Sequence, residues 1–455
     1  MAKPVLVVGH QNPDNDSIAS AVAYAAFKNQ LQQRSLAEGE EPKYQYIPAR
    51  LGPLPAESAW VLQENGFDAP ELVGHVHARV ADVMTPDPIC VDSDATIMEA
   101  GQMLRQYNIR SLVVNNEDGT YRGLLTMRGI ANRYISATDL LQEGGANTMA
   151  VAADLIESLE QTVEDILETD VLIMDKETLF KEAVEDLTNS SLREAVVLND
   201  DDVCIGIVTR SDIAQVPKRK VILVDHNETR QAAHGIQEAD VVEIIDHHRI
   251  ADVMTANPIQ FLNLPVGSTA TIITMEYRKY GLEISKEVAS VLLSAILTDT
   301  VILKSPTATQ VDKDQVDYLS DIIGCDATEF GIQLFRKRGG EEDIPIEDFV
   351  GADAKEFQLG DRTVLIAQHE TVDLKTALAR ESEIRDYMRQ LREQHDYEFV
   401  LLMVTDIVAE GSQFMCEGNR RVLNRVFGIQ CTGTGGTWMP GILSRKKQVA
   451  AKILG

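Results

Sequence analysis

Short apolar runs that end in acidic residues and histidines are the main hydrophobic pattern of this chain. Three runs are each followed by a polar cluster: residues 5–8 by 9–17, residues 221–224 by Asp225-His226-Asn227, and residues 241–245 by Asp246-His247-His248. Short apolar runs bounded by turn residues are typical of buried parallel strands. Because open α/β sheets bind ligands at the carboxyl ends of their strands, we expect the three clusters to meet in one site.

Longer stretches of the chain predict helices. Ser17 is expected to be the N-cap of a helix over residues 18–28, whose small and apolar residues suit packing on a sheet. A helix over 286–297 is expected to run into Thr298-Asp299-Thr300. Further segments predict helices at 269–280 and 374–394 and strands at 364–368 and 399–404.

An internal repeat lies between about residues 75 and 216. Residues 123–130 match residues 206–213, and the offset of 83 residues, from Thr126 to Thr209, also pairs Arg110 with Arg193. Each copy is predicted to contain a helix, a strand ending in an acidic turn, a second strand and a closing helix. Residues 149–168 are predicted to form a helical linker between the copies.

The predicted fold class is α/β, with the repeat inserted into the first domain. A catalytic domain with a mainly parallel sheet is expected from residues 1–71 and 218–339. The α+β insert covers 72–217, with its copies at about 75–136 and 168–216, and a C-terminal α/β domain covers 340–455. Such an insertion is tolerated where the two ends of a surface loop lie close together.

Composition restricts the partners of this protein. Of 455 residues, 44% are hydrophobic and 25% are charged, which is ordinary for globular domains, but the formal net charge of −29 is not. This charge argues against nucleic acid and anionic membranes as partners, so that a phosphate substrate must be met by metals and a local basic cluster. Lys355 and residues 445–447 are the candidates.

Targeting and cysteine usage favour the cytoplasm. No apolar run approaches the roughly 18 residues of a membrane span, and the N-terminus has no signal-peptide pattern. The five cysteines are odd in number and never spaced as CxxC, so we expect reduced thiols.

Carboxylates combined with imidazoles suit Mn, Co, Fe or Zn, and the absence of thiolates from the clusters argues against a structural zinc. Asp14 and Asp16 alternate on an extended segment, and a pair of ions accommodates them more easily than one. Two metals about 3.5–4 Å apart activate a water for phosphoryl displacement, so that no protein nucleophile is needed.

Two further features allow two interpretations each. His226, which directly follows Asp225, is either a metal ligand or a hydrogen-bonded residue. The glycines at 433–436 fit a phosphate cradle or simple turns.

Together these motifs resemble the DHH phosphoesterase superfamily, and more narrowly the family II manganese-dependent inorganic pyrophosphatases. The residues that carry the resemblance are GHQNPDNDS at 9–17, Asp225-His226-Asn227, Asp246-His247-His248, Ser305-Pro306-Thr307 after Asp299, and SRKKQ at 444–448. The duplicated insert resembles a pair of CBS domains. The resemblance covers essentially the whole chain and implies hydrolysis of pyrophosphate to two phosphates in a homodimer.

The resemblance also implies two Mn²⁺ or Co²⁺ ions per active site. One ion is expected on His10, Asp14 and Asp225. The second is expected on Asp16, Asp225, His247 and Asp299, so that Asp225 bridges the pair. Mg²⁺ is expected to enter with the substrate.

Substrate contacts follow from the same resemblance. His248 is expected to contact phosphate near the leaving group, and Asp246 to orient the imidazoles. Lys355, Arg445 and Lys446 are expected to bind the diphosphate from the C-terminal domain.

The likeness to CBS pairs implies regulation by adenine nucleotides: inhibition by AMP or ADP, with activation by ATP left open. In the pattern Gly-x-x-Thr-x-x-Asp the hydroxyl contacts phosphate and the carboxylate contacts ribose. The second copy has both, at Thr209 and Asp212. The first copy has Thr126 but carries Gly129 at the acidic position, so we expect one strong nucleotide site.

Three other functions are kept as alternatives. A short-chain polyphosphatase would differ mainly in having room for a longer chain. A DHH phosphodiesterase typically has a C-terminal Gly-Gly-Gly-His signature, which this sequence lacks. A non-catalytic adenine-nucleotide sensor would use only the insert.

Overall fold

The computed structural model describes residues 2–37, 39–142, 148–190, 193–338, 344–351, 353–428 and 435–449. It divides into two compact units. The main unit comprises Met1–His75, Lys220–Ile236 and Asp240–Gly455, and the inserted unit comprises Val76–Arg219 with Gln237–Ala239. The main unit itself contains an N-terminal and a C-terminal domain.

The N-terminal domain begins with the first three strands and two helices of the chain. They are β1 (Lys3–Val8), α1 (Asn15–Ser35), β2 (Tyr44–Arg50), α2 (Ala56–Glu64) and β3 (Glu71–Leu72). The helix α1 starts three residues earlier than the sequence predicted, and its N-cap is Asp14, not Ser17, because the Asp14 carboxylate accepts the Ser17 N–H at 2.9 Å. The alanine-rich α1 is buried on nearly all sides between β2 and later helices, where small side chains permit close packing.

The inserted unit contains two copies of a small α/β module. Its elements are β4 (Thr85–Pro86), β5 (Cys90–Asp92), α3 (Ile97–Tyr107), β6 (Ser111–Asn115), β7 (Tyr121–Thr126), α4 (Met127–Gln142), α5 (Thr148–Glu160), β8 (Leu172–Asp175), α6 (Phe180–Asn189), β9 (Glu194–Leu198) and β10 (Cys204–Thr209). The first copy has the sheet β5-β6-β7 and the second has β4-β10-β9-β8. The second copy closes with a 3₁₀ turn at Asp212–Ala214 where a helix was predicted.

The two copies exchange the segments that lead into them. Val80 is fully buried in the core of the second copy, and Val163, which lies 83 residues later, is fully buried in the core of the first. The predicted linker helix therefore ends at Glu160, because residues 163–167 pack into the first copy. Buried valines contribute roughly 1.5–3 kcal/mol each, so the exchange ties the two copies together.

After the insert the N-terminal domain resumes and is completed. Its remaining elements are β11 (Lys220–Val224), β12 (Asp240–Asp246), β13 (Gln260–Asn263), α7 (Thr269–Tyr280), α8 (Lys286–Asp299), α9 (Gln310–Ile323) and α10 (Ala327–Arg338). All six strands are parallel, in the order β13-β12-β11-β1-β2-β3. The chain moves outward from β1 in both directions, which creates a topological switch point between β1 and β11.

The C-terminal domain has a mixed five-stranded sheet in the order β14-β15-β16-β17-β18, with only β15 and β16 parallel. Its elements are α11 (Ile346–Gly351), β14 (Ala354–Leu359), β15 (Arg362–Thr371), α12 (Leu374–Ala377), α13 (Glu381–Gln394), β16 (Phe399–Asp406), β17 (Gly411–Gly418), α14 (Arg420–Phe427), β18 (Thr437–Pro440) and a π-helical turn at Arg445–Val449. The helix predicted over 374–394 is interrupted by a 3₁₀ turn at Leu378–Arg380.

Two further expectations concern the whole chain. No helix among the described residues combines the length and apolar character needed to cross a bilayer. Cys90, Cys204 and Cys325 are free thiols, as expected, whereas Cys416 is disulfide-bonded, so the expectation of reduced thiols was wrong for that residue.

Candidate metal centre

The acidic and histidine residues of the three strand ends meet at one edge of the parallel sheet. The strands β1, β11 and β12 are neighbours, and each delivers its polar cluster at its carboxyl end. The C-terminal residue of α8, Asp299, joins them from the same side. All six predicted metal ligands and His248 fall into three overlapping groups of three residues. Within each group the ligand atoms lie within 4.8 Å of one another.

The first group contains His10, Asp14 and Asp225. The His10 Nε2 atom lies 3.7 Å from Asp14 Oδ1 and 3.5 Å from Asp225 Oδ2. Asp225 is 1% exposed, whereas about half of the Asp14 side chain is accessible. This group therefore has an open side through which solvent or a ligand can enter.

The second group contains Asp16, His247 and Asp299. His247 Nε2 lies 3.3 Å from Asp299 Oδ2 and 3.5 Å from Asp225 Oδ1. The two oxygens of the Asp225 carboxylate thus face different imidazoles, Oδ2 toward His10 and Oδ1 toward His247. Asp225 is therefore placed between the two groups.

His248 belongs to the third group but has its own orientation. Its Nδ1 donates to Asp246 Oδ1 at 2.9 Å, and the same oxygen accepts the backbone N–H groups of residues 247 and 248. Asn227 donates to the other oxygen of the fully buried Asp246. The expectation that Asp246 orients both imidazoles was wrong for His247, whose Nδ1 donates to the Val266 carbonyl at 3.0 Å.

His226 is not in any of the three groups. It is 1% exposed, its Nδ1 donates to the Val224 carbonyl at 2.9 Å, and its ring meets that of His10 edge-on. Burial lowers the pKa of His226, so the ring is neutral. Between the two alternatives left open by the sequence, the geometry favours a hydrogen-bonded residue behind the site.

Two backbone features hold the strand ends in place. Asp225 has a φ of 61°, a left-handed conformation that is costly for a non-glycine residue and is typical of functional sites. Gly9 allows the turn after β1 to approach α1, because a Cβ atom there would lie 1.8 Å from Ser17 Oγ. The Ser17 hydroxyl accepts the His10 N–H at 3.0 Å and so fixes the backbone of a predicted ligand.

The loop at residues 266–270 contacts three predicted ligands, which the sequence did not suggest. The Thr269 and Ala270 N–H groups, at the start of α7, donate to the two oxygens of Asp16 at 2.7 and 3.1 Å. The Thr269 hydroxyl donates to Asp225 Oδ1 at 2.9 Å, and the Val266 carbonyl accepts from His247. One loop therefore orients a carboxylate or imidazole of each metal group.

A buried carboxylate from α9, Asp312, fastens this loop. It is fully buried and accepts hydrogen bonds from the Gly267 N–H at 2.9 Å and the Thr271 hydroxyl at 2.6 Å. It also accepts from the N–H and hydroxyl of Thr309 in the capping box that begins α9. A capping-box pattern does not by itself reveal that the same carboxylate fixes a distant loop.

Replacing Asp312 with asparagine is expected to weaken Mn²⁺ binding by about 10–100-fold, the usual cost of losing a partner that supports metal ligands. The amide cannot accept from all four donors, so the loop shifts and moves its contacts to Asp16 and His247. Binding is measured by competition with a fluorescent chelator. Asp317→Asn, an exposed position on the same helix, is the control, and equal Mn²⁺ affinities of the two variants would contradict the role of Asp312.

Charge and burial compete strongly among the predicted ligands. Burial alone would lower the pKa of His10, but its contacts with Asp14 and Asp225 raise it to about 10. Burial would likewise lower the pKa of His247, but Asp225 and Asp16 raise it. Burial raises the pKa of Asp225, yet the nearby His10 and His247 imidazoles bring it well below its usual range. Burial and neighbouring carboxylates raise the pKa of both Asp16 and Asp299.

The donor set fits divalent metal ions. Asp225 Oδ2 and His247 Nε2 are buried, and neither has a hydrogen-bond partner among the described residues. Buried polar atoms normally have a hydrogen-bond or metal partner, and a bound cation would be that partner for these two atoms. Neutral imidazole and carboxylate ligands match the preference of Mn²⁺, Co²⁺ and related ions.

Metal binding is expected to release about three protons per chain near pH 7, because the raised pKa values, about 10 for His10 and His247 and about 9 for Asp299, keep these three groups protonated without metal. Raising the pH removes these competing protons, so Mn²⁺ affinity should rise, by about tenfold per pH unit for each proton released, until the imidazoles are neutral near pH 10. Calorimetry in two buffers of different ionisation enthalpy measures the number released. A binding heat that is independent of the buffer would contradict this prediction.

The predicted substrate-binding residues lie in the C-terminal domain. Lys355 is exposed on β14. Arg445 is 6% exposed; its guanidinium donates to the Asp353 carbonyl and lies 2.9 Å from the Asp353 carboxylate, while its buried Nε has no hydrogen-bond partner among the described residues. Lys446 is part of the same π-helical turn, but its side chain is outside the described residues. Residues 433 and 434 of the glycine-rich segment are also outside them.

The predicted nucleotide contacts line a cavity of about 1000 Å³ within the inserted unit. Both threonines of the repeat, Thr126 and Thr209, are on its wall. Asp212 is adjacent, and its carboxylate accepts from the Thr209 N–H and hydroxyl, both at 2.7 Å. Charged side chains of both signs also line the cavity: Arg110, Arg128, Arg193 and Arg210, with Asp87, Glu168 and Glu194.

Two family models match this chain. The model of the DHH family, N-terminal domain, matches residues 4–296, and that of the DHHA2 domain matches residues 332–454. The chain belongs to the DHH family. Five of the six predicted metal ligands lie within the first match, and the sixth, Asp299, follows its end by three residues.

Similar proteins extend over the whole of this DHH-family chain. The cobalt-dependent inorganic pyrophosphatase of Clostridium perfringens is 29% identical over an alignment that covers 100% of this chain and 98% of that protein. A probable manganese-dependent inorganic pyrophosphatase of Archaeoglobus fulgidus is 42% identical, covering 52% of this chain and 73% of that protein. The crystal structure of CBSX2 in complex with AMP covers 30% of this chain and 92% of that one, at 20% identity and a TM-score of 0.24.

Proposed function

We propose that this protein hydrolyses inorganic pyrophosphate to two phosphates with a pair of Mn²⁺ or Co²⁺ ions, and that adenine nucleotides bound to the inserted unit regulate the reaction. The observation that carries the proposal is the Asp225 carboxylate, whose two oxygens face His10 and His247 in separate ligand groups. The metal-dependent pyrophosphatase names of two relatives, one aligned over the whole of this chain and the other over about half of it, support the choice of substrate.

The ligand groups divide the site between two ions. His10, Asp14 and Asp225 would hold one, and Asp16, His247, Asp299 and Asp225 the other. Bound side by side, two such ions acidify a water and neutralise the charge that develops during phosphoryl displacement. Mg²⁺ entering with the substrate would neutralise part of its own charge, which suits a protein with a net charge of −29.

His248 is placed to act on the departing phosphate. Its hydrogen bond to the Asp246 carboxylate raises its pKa, which favours the protonated imidazole. The half-exposed ring keeps its Nε2–H available for a phosphate oxygen. Donation of a hydrogen bond or proton from this nitrogen would stabilise the leaving phosphate.

The C-terminal domain would bind the negative charge of the substrate. Arg445 has an unsatisfied Nε and a backbone N–H that is fixed by Gln368 at 3.0 Å, so its guanidinium is held before substrate arrives. Guanidinium groups bind phosphate through paired hydrogen bonds, whereas Lys355 and Lys446 would add point charges. These three residues would close the site around the diphosphate.

Phosphate release tests the catalytic part of this proposal. With Mn²⁺ and Mg²⁺ present, pyrophosphate should be hydrolysed much faster than tripolyphosphate or a dinucleotide. A preference for tripolyphosphate would favour the polyphosphatase, a preference for the dinucleotide would favour the phosphodiesterase, and silence on all three would favour a nucleotide sensor. The same assay with AMP tests regulation: AMP should inhibit the wild type and should have little effect on Thr209→Ala.

A further inference from the structure

Three consecutive residues that closely follow a predicted metal ligand have a left-handed backbone. Val301, Ile302 and Leu303, which come after Asp299 and Thr300, have φ angles of 48°, 53° and 62°. Residues other than glycine enter this region rarely and normally one at a time, and it is least favourable for β-branched side chains. This left-handed turn, residues 301–303, therefore requires fixed surroundings, and backbone of this kind is typical of functional sites.

The left-handed turn is bonded to the chain on both sides of Asp299. The Ile302 N–H donates to the Leu297 carbonyl, near the end of α8, at 2.7 Å. The Leu303 N–H donates to the Thr300 hydroxyl at 3.1 Å. Leu297 and Thr300 flank Asp299, so a shift of the left-handed turn moves the backbone that carries this carboxylate.

The Ile302 side chain fastens the left-handed turn to α10. It is 5% exposed and belongs to the hydrophobic core of the N-terminal domain. It lies against Gly331, inside α10, where an added Cβ atom would be 2.8 Å from Ile302 Cγ1 and 3.1 Å from Cδ1. Glycine destabilises the interior of a helix, and the close approach of Ile302 explains why it occupies this position.

A polar contact beside the left-handed turn is weaker. Lys304, the next residue, pairs with Glu410 of the C-terminal domain at 2.6 Å, but both side chains are exposed. Exposed ion pairs contribute little to stability. The position of the turn therefore depends more on the buried packing of Ile302 than on this ion pair.

We propose that Ile302 and Gly331 are positioning residues that fix Asp299, and with it the second metal ion, through the left-handed turn. The inference rests on the proposed pair of metal ions. Asp299 belongs to the second ligand group and not to the first. A displaced turn should therefore weaken the binding of one ion and spare the other, whereas a general loss of stability would weaken both.

Replacing Gly331 with alanine disturbs this contact directly. The new methyl group would meet Ile302 inside a close-packed core, and a β-branched side chain has few other rotamers, so the displacement passes to the turn. Adding Ile302→Ala removes the Cγ1 and Cδ1 atoms that the methyl group meets. Gly101→Ala is the matched control, because Gly101 is also inside a helix, α3, and a Cβ atom there would have no neighbour within 4 Å.

Calorimetric titration of the full-length, metal-free proteins with Mn²⁺ measures both sites. The wild type and Gly101→Ala should each bind two ions per chain with equal affinities. In Gly331→Ala one ion should keep its wild-type affinity, and the other should bind about 10–100-fold more weakly, the usual cost of losing a group that supports a metal ligand. The Gly331→Ala/Ile302→Ala variant should bind the weakened ion more tightly than Gly331→Ala does.

Thermal unfolding checks that each variant is folded. If Gly331→Ala unfolds, Ile302→Ala replaces it, because this change removes the anchor of the turn without a clash and should weaken the same ion. Wild-type affinity for both ions in the folded variant would overturn the proposal. Equal weakening of both ions, or a double variant that binds no more tightly than Gly331→Ala, would also overturn it.

The outcome is separate from catalysis. A wild type that binds two Mn²⁺ ions but releases no phosphate from pyrophosphate would refute the proposed reaction, and the two affinities would still test Ile302 and Gly331. A wild type that binds fewer than two ions would refute both the paired ions and the positioning role.

Discussion

Replacing Asp225 with asparagine is expected to slow pyrophosphate hydrolysis by at least about a thousandfold, equivalent to about 4 kcal/mol of transition-state stabilisation. The substitution removes the one carboxylate that faces both ligand groups, so neither ion retains its full set of ligands. The substitution also removes the negative charge that would offset the charge of the two cations. Phosphate release and metal content by elemental analysis should both fall, with fewer than two Mn²⁺ ions bound per chain.

A control for this variant exists on the same sheet. Asp240 is the first residue of β12, at the opposite end of that strand from the site, and its carboxylate pairs with Lys220 at 2.6 Å. Partly exposed ion pairs contribute little, so Asp240→Asn should retain the wild-type rate to within about twofold. An Asp225→Asn variant that kept more than about a tenth of the wild-type rate would contradict the bridging role.

Replacing Arg445 with alanine is expected to lower kcat/KM for pyrophosphate by about 10²–10³-fold, the typical effect of removing one preorganised group that stabilises developing charge. The guanidinium is anchored by Asp353 and has an unsatisfied buried Nε, so it is ready to bind an anion. Gln448 stabilises the surrounding turn, because its side chain accepts the N–H groups of Leu443 and Ser444 at 2.9 Å.

Lysine at position 445 should not restore the rate, because an ammonium group cannot reproduce the paired hydrogen bonds of a guanidinium. The exposed Arg425 on α14 supplies the matched control, and Arg425→Ala should keep the wild-type kcat/KM. Steady-state kinetics with Mn²⁺ and Mg²⁺ present measure all three variants. If Arg445→Ala and Arg425→Ala behaved alike, Arg445 would not bind the substrate.

The strand ends of the site could be predicted because local sequence determines them. An apolar run that is followed closely by Asp or His predicts both a strand and the edge of the sheet at which the polar side chain lies. On this basis His10, Asp225 and His247 were predicted to lie together. Parallel neighbours then bring those edges into contact without any knowledge of the loops. The closeness of Asp299 to the cluster followed from the end of a helix that the sequence predicted within two residues.

The supporting contacts could not be predicted in the same way. Asp312 and Thr269 act through a loop whose position depends on how α7 and α9 pack, and neither residue lies in a cluster of acids and histidines. The exchange of Val80 and Val163 between the two copies was also hidden, because a repeat shows which residues correspond but not which copy they join. The homodimer and the cytoplasmic location stay predictions from the sequence.

Anomalous diffraction at the manganese edge, on crystals grown with Mn²⁺ and without substrate, tests the paired-ion arrangement most directly. We expect two peaks per chain, one within bonding distance of His10 and Asp14, the other of Asp16, His247 and Asp299, with Asp225 bonded to both. A single peak at this sheet edge, or two peaks that share no carboxylate, would contradict the arrangement.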